Sequence, residues 1–388
     1  MHEKPLRIAI YAPYLNTAGG GEKYIATIAE LLSQTHHVDF LTTDPVDLDC
    51  IQDRLHVDLS RVQISPTMYK ASGKRGALSS VSRKWAQVRA VSHATKDYDL
   101  FLNQETLTAI PCQATRGIVI CQIPPRTFNP STSIASNLAR LFGAHFFLDP
   151  QLKSYAKVIV YSQFVAGFVQ NFYRKETLIV HPSVDIEHFS PLPKLNMILS
   201  VGRFFVGIHN KKQIELIRQF KLIYDQGLPD PGWEYHLVGS IDPGDQARRY
   251  VEQCKAEAQG YPIVFHFNAP FVELCILYGQ ARLFWHGAGM GEDVDRHPER
   301  AEHFGIATIE AMAAGCVPIV INKGGQPEIV RHDIDGLCWN SASELRHYTQ
   351  ELMVNESVCD QLSRAALARS QDFALSVFRQ TLFNGLDL

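Results

Sequence analysis

Short apolar runs ending in glycine or turn residues alternate with amphipathic segments along the whole chain, and this alternation restricts the fold more than any other feature. Arg7–Tyr14 (RIAIYAPY) reads as a buried strand. The glycine loop Asn16–Gly21 (NTAGGG) follows, then a helix from Glu22 to Ser33 with Ile25, Ile28, Ala29 and Leu32 on one face. Val38–Thr42, Asp99–Asn103, Gly117–Cys121, Lys157–Tyr161 and Leu178–Val180 supply further strands, and Ser162 is a candidate N-cap for the next helix. Pro191–Lys194 (PLPK) interrupts the pattern, which restarts at once. Strands are then expected over Met197–Val201, Trp233–Val238, Ile263–Phe267, Arg282–Trp285 and Cys316–Ile321. Helices are expected over Gln213–Gln226, Gln246–Ala258, Phe271–Tyr278 and Phe373–Leu386. Continuous apolar strands separated by helices predict an α/β chain with two doubly wound parallel sheets. In such sheets ligands sit at the carboxyl ends of the strands.

The length agrees with two domains, because 388 residues exceed what one core normally holds. Hydrophobic residues make up 46% and charged residues 20%, which is globular composition. No apolar run approaches the ~20 residues of a membrane span, and the N-terminus reads as a first strand rather than a signal peptide, so a cytoplasmic chain is expected. The eight cysteines form no Cys-x-x-Cys pair and the sixteen histidines show no ligand spacing, so reduced thiols and no metal site are expected. A net charge of −3 argues against nucleic acid as a partner. Between Leu59 and Leu148, however, eleven Lys and Arg stand against only Asp97, Asp99 and Glu105. The basic segment Tyr69–Ala94 fits an amphipathic helix, which is either a solvated face or a peripheral contact with an anionic membrane surface.

The chemistry concentrates in Ala301–Val330 (AEHFGIATIEAMAAGCVPIVINKGGQPEIV). Glu302 lies in a loop entering a helix at Phe304-Gly305, Glu310 lies within that helix, and Gly324-Gly325 makes a turn after the following strand. Arg203 at a strand exit and Lys211 at a helix start, joined to a helix N-terminus, make a suitable clamp for a diphosphate. An isolated pair of glutamates eight positions apart is ordinarily surface charge; the convergence with the clamp raises it above that. The glycine loop near the N-terminus lets backbone amides approach a phosphate or sugar, although three glycines also suffice for a tight turn. Its spacing matches neither the dinucleotide fingerprint nor a P-loop.

Glu302, Phe304, Gly305, Glu310, Ala311, Met312, Ala313, Gly315, Pro318, Gly324, Gly325, Glu328, Ile329 and Val330 resemble the donor segment of retaining glycosyltransferases of family 4. The resemblance extends to Val201-Gly-Arg203, Lys211, Phe220, Gly19–Glu22, Ser162 and Pro182–Asp185. Gly-Gly-Gly-Glu and Glu-His-Phe-Gly-Ile are similar to the branch that contains the α-1,2-mannosyltransferase of dolichol-linked oligosaccharide. The resemblance implies the GT-B fold: Rossmann-like domains over 1–189 (acceptor side) and 194–370 (nucleotide-sugar side) facing a central cleft, and a last helix, 371–388, crossing back to the first domain. It implies retaining sugar transfer from a nucleotide-diphosphate donor, GDP- or UDP-linked, to a glycan or lipid-linked acceptor hydroxyl, with no metal or other cofactor. Arg203 and Lys211, with Gly20 and Gly21, would hold the diphosphate. Glu302 would bind the transferred sugar, the amides of Phe304, Gly305 and Ile306 the phosphate or sugar, and Glu310 the ribose, while Asn268 and Ala269 would border the base. Many members carry an N-domain histidine where this chain has Cys121-Gln122, so either Gln122 substitutes or the donor sugar differs. His286 precedes an unusually long approach, Gly287–Arg300, and is a candidate for reaching the sugar. A sugar-nucleotide epimerase and a non-catalytic nucleotide-sugar binder are the alternatives.

Overall fold

The computed structural model describes residues 4–17, 19–42, 44–66, 77–104, 110–123, 152–208, 210–227 and 232–388. The chain divides into two compact units, Met1–Tyr161 with Val165–Val180, and Ser162–Phe164 with His181–Leu388.

The first unit is a seven-stranded parallel sheet. Its strands are β1 (Arg7–Tyr11), β2 (His37–Thr42), β3 (Val62–Pro66), β4 (Leu100–Asn103), β5 (Arg116–Cys121), β6 (Lys157–Val160) and β7 (Thr177–Ile179), in the order β3-β2-β1-β4-β5-β6-β7. Helices α1 (Gly20–Ser33), α2 (Leu48–Leu55), α3 (Ala77–Ala94) and α4 (Gln163–Tyr173) connect them. Ile8, Ala9, Ile10 and Tyr11 are all inaccessible to solvent, as expected of a central strand covered on both faces. α1 buries Ile25, Ile28, Ala29 and Leu32, the stripe its periodicity predicts. The basic helix is present as α3; residues 69–76 of the expected segment, and the side chains of 77–84, lie outside the described residues.

The second unit is a six-stranded parallel sheet of β8 (Leu195–Val201), β9 (Glu234–Gly239), β10 (Ile263–Phe267), β11 (Ala281–His286), β12 (Val317–Ile321) and β13 (Leu337–Trp339), in the order β10-β9-β8-β11-β12-β13. Its helices are α5 (Gln213–Asp225), α6 (Asp245–Ala258), α7 (Phe271–Gln280), α8 (Ile306–Ala313), α9 (Gln326–Ile329), α10 (Ala342–Val354), α11 (Glu356–Ser370) and α12 (Leu375–Leu386). Trp233, Tyr235, Trp285, Trp339 and Phe220 fill one core, each at most 1% exposed. Burying a side chain of this size contributes about 1.5–3 kcal/mol.

Both sheets run outward in two directions from their first strand, so each has a switch point: between β1 and β4, and between β8 and β11. Loops leaving two strands in opposite directions open a crevice there. The fold is GT-B in its two doubly wound parallel sheets.

Candidate active site

The switch point of the second sheet collects the charged residues. β8 exits through Gly202 and Arg203, and β11 ends at His286. Gly202 lacks a side chain for a specific reason: a Cβ there would lie 2.6 Å from Cγ of Lys211, whose stem crosses that space. Lys211 is thereby directed to Glu302, and its Nζ donates to Oε2 of that carboxylate. His286 Nε2 lies 3.1 Å from the same oxygen. Two elements remote in sequence therefore converge on one carboxylate atom.

Burial disfavours the charged form of Glu302, but the Lys211 ammonium and the His286 hydrogen bond outweigh it and hold the carboxyl well below its usual range. Burial pushes His286 below the ordinary imidazole value, against the opposing pull of Glu302. Its other nitrogen, Nδ1, is buried and has no hydrogen-bond partner among the described residues. A neutral imidazole donating from Nε2 to Glu302 and leaving Nδ1 as an acceptor satisfies both observations.

The loop carrying Glu302 is shaped by backbone proximity. Gly305 sits at φ +128°, and a Cβ there would fall 2.0 Å from the Gln326 amide. That amide donates to Phe304 O at 2.9 Å and accepts from Thr308 Oγ1 at 2.8 Å, clamping the start of α8. Gly324 sits at φ +65°, where a Cβ would meet Glu302 O at 2.1 Å. Gly325 N donates to Glu302 O at 2.8 Å. The Gly-Gly turn thus serves close passage of the 302–305 backbone. No side chain caps α8 at Gly305, so its first amides keep the orphan-donor character of a helix start. Further along α8, Glu310 accepts from Tyr278 Oη of α7 at 2.7 Å.

The remaining expected residues are placed as follows. Arg203 is 60% exposed, pairs with Asp242 at 3.1 Å and stacks over the Phe205 ring. Asn268 is exposed in the left-handed region at φ +54°, beside Ala269 at the end of β10. In the first unit, Gln122 Nε2 donates to Gly21 O at 3.0 Å and Gln104 Nε2 to the same oxygen at 3.3 Å. Gly20 is exposed, with nothing within 4 Å of its missing Cβ. Ser162 Oγ donates to His303 O at 2.7 Å, and the amides of Gln163 and Phe164 donate to the Glu328 carboxylate, so a distant glutamate caps this helix start.

Sequence reasoning missed Tyr278, Gln326 and the Lys212–Glu292 pair. Tyr278 lies in an apolar helical run and reads as core. Gln326 directly follows the Gly-Gly turn, the one signal that would have found it.

Residues 187–369 match the family model described as glycosyl transferases group 1. A GDP-Man:Man(3)GlcNAc(2)-PP-Dol alpha-1,2-mannosyltransferase from Dictyostelium discoideum is 25% identical over 273 residues, 65% of this chain and 52% of that protein. The chain thus spans about half the length of that relative. The Caenorhabditis elegans protein of the same name is 22% identical, with 86% of this chain and 80% of that one covered. Among solved structures, sucrose-phosphate synthase from Thermosynechococcus elongatus superposes with a TM-score of 0.72 at 18% identity, covering 98% of each chain. Anabaena HepE in complex with UDP and glucose superposes at 0.68 and 16% identity, covering 98% of this chain and 99% of that one. The matched segment, just under half of the chain, carries the Glu302–Glu310 helix start and its lysine clamp, and over that segment the chain is similar to the glycosyl transferases group 1 family.

Proposed function

We propose that this chain transfers a sugar from a nucleotide-diphosphate sugar to an acceptor hydroxyl with retention of anomeric configuration. The observation that supports this most is the meeting of Lys211, His286 and Glu302 at the carboxyl ends of β8 and β11. Lys211 is a mobile point charge that trades part of its contact with Glu302 for the donor phosphates, joined there by Arg203. Glu302, ionised across the neutral range, accepts hydrogen bonds from the sugar hydroxyls, and His286 orients it. The amides of Phe304, Gly305 and Ile306 face the phosphate or sugar, and Glu310, fixed by Tyr278, takes the ribose diol.

In the reaction the bond between the anomeric carbon and the diphosphate oxygen breaks, and its electron pair leaves with the diphosphate. The acceptor oxygen bonds to the anomeric carbon from the same face and passes its proton to the departing phosphate. The cations stabilise the charge that grows on that phosphate, which is electrostatic catalysis without a metal. The names of the relatives favour mannose from GDP-mannose and a diphosphate-lipid-linked oligosaccharide acceptor; the UDP complex of a structural neighbour favours a uridine donor. A peripheral position at a membrane, with the exposed Trp85 and Arg89 of α3 turned to anionic lipid, fits a lipid-linked acceptor. No helix among the described residues is long and apolar enough to cross a membrane.

The test is a thermal-shift screen of GDP- and UDP-sugars, followed by transfer to a diphosphate-lipid acceptor with stabilising donors. A tight donor raises Tm, and Glu302→Ala lowers kcat for transfer by about 10³. Product formed from donor alone reassigns the chain to an epimerase. Donor binding without any product reassigns it to a binder.

A further inference from the structure

Glu302 is not the only carboxylate gripped by this part of the chain. Midway along the segment joining His286 to Glu302, Glu292 accepts from Lys212 Nζ at 2.7 Å through Oε1 and from Arg300 at 3.0 Å through Oε2. The backbone carbonyl of Glu292 accepts from Lys323 Nζ at 2.7 Å, and the same ammonium reaches Gly289 O at 3.3 Å. One residue thus joins the N-terminus of α5, the segment 287–300 and the exit of β12.

The arrangement is over-determined. Lys212 caps α5 in the left-handed region at φ +61°, which side chains other than glycine rarely adopt. Its amide donates to Asn210 Oδ1 at 2.7 Å, and Asn210 Nδ2 donates to Phe205 O at 2.7 Å. The Lys212 side chain is only 15% exposed and that of Glu292 20%. A strained backbone residue with a largely buried ammonium is retained where the surrounding contacts impose it.

The consequence is geometric. Lys211 and Lys212 are adjacent, and they grip Glu302 and Glu292, ten positions apart on one connection. The two parallel ion pairs fix both the middle and the end of the segment that begins just after His286. We propose that Glu292 is a positioning residue that holds His286 and Glu302 in register with Lys211. This role rests on the glycosyl-transfer reading above. It explains why the approach to Glu302 is long: the added residues carry their own carboxylate and return it to the helix start that supplies the clamp lysine.

The test compares the wild-type chain with Glu292→Gln, Glu292→Asp and Arg300→Gln. Arg300→Gln removes the more exposed arm, 43% accessible, and keeps the chain folded if the glutamate variants are too unstable to purify. Glu292→Gln is expected to lower kcat about tenfold or more while changing the donor KM less than threefold, because a small misplacement of reacting groups costs rate rather than binding. Glu292→Asp is expected to recover part of the loss. In parallel, the His286 ring signal is followed by NMR in ligand-free protein, where Glu292→Gln should shift both its position and its titration midpoint. A lowered Tm with kcat per folded molecule and the His286 signal unchanged overturns the proposal. Absence of transfer by the wild type defeats the functional reading alone; the His286 signal still decides the positioning role, an unmoved signal overturning it.

Discussion

The two switch points share a topology and differ in chemistry. At β1 and β4 the first unit presents glycines and amides: Gly21 O is held by Gln122 and Gln104, Gly19 N donates to the Glu22 carboxylate at 2.9 Å, and no side chain caps the first amides of α1. At β8 and β11 the second unit presents Lys211, His286 and Glu302, and the start of α8 has no side-chain cap. The parallel strand order accounts for where each crevice lies. Both helix starts lack a side-chain cap, so what differs is the side chains beside them: glutamines and Glu22 in one case, a lysine and a histidine meeting on one carboxylate oxygen in the other.

The largest effect expected from breaking this contrast is that of Glu302→Ala. Transfer should fall by about 10³ in kcat, measured with saturating donor, while the nucleotide diphosphate still raises Tm. The glycines separate next. Gly324→Ala forces a Cβ against Glu302 O at a positive φ, and should cost several kcal/mol, on the order of 3–5, in denaturant unfolding. Gly20→Ala meets nothing and should stay within about 0.5 kcal/mol of wild type; an equal loss at both positions would erase the distinction. Tyr278→Phe removes the Glu310 bond and should weaken donor affinity by about ten- to a hundredfold, in keeping with the ~1.5–3 kcal/mol of a charged hydrogen bond, by calorimetric titration.

Part of the acid sensitivity should arise at the second switch point, and His236 on β9, also held below its ordinary value by burial, adds to it in the same pH range. His286 is held below its ordinary 6.5 in the folded chain, so the unfolded state binds the proton first and stability falls as pH drops through about 6.5. Glu302 is depressed below its ordinary 4.5, so its contribution is present above that value and is lost as pH falls further. Glu328, raised by burial, works oppositely, disfavouring the folded state as pH rises above 4.5. In urea titrations between pH 7 and 5, His286→Asn should flatten the fall in the midpoint. Arg203→Ala should have the smallest effect on Tm, because its pair with Asp242 is exposed, while the donor KM rises severalfold.

Sequence reasoning reaches the parts of this molecule where one physical requirement dominates. VPIVI at β12 is legible because a strand buried on both faces has to be apolar throughout. The Glu302–Glu310 segment is legible because its residue pattern is specific. β13 is only three residues long, too short for a period, and α2 and β3 lie in a stretch of mixed polarity. What stays hidden is partnership across sequence distance. Glu328 reads as part of a motif, yet its carboxylate serves amides 164 and 165 positions away. Lys194 reads as linker, yet its ammonium bonds Ala281 O and Ala314 O, at the start of β11 and the end of α8.

The path of the chain through its two units bears on recombination. The second unit takes Ser162–Phe164, releases the chain for Val165–Val180, and takes it back from His181 onward. The proline-rich stretch at 191–194 looks like the natural place to splice halves of related chains. A junction there would discard His181, stacked on Phe304 at 5.1 Å, and Val184, whose amide bonds Phe373 O at 3.0 Å. Chimeras that exchange the second unit should therefore be joined before His181 and matched at 162–164. Those joined at the prolines should inherit a family motif without the residues that brace it.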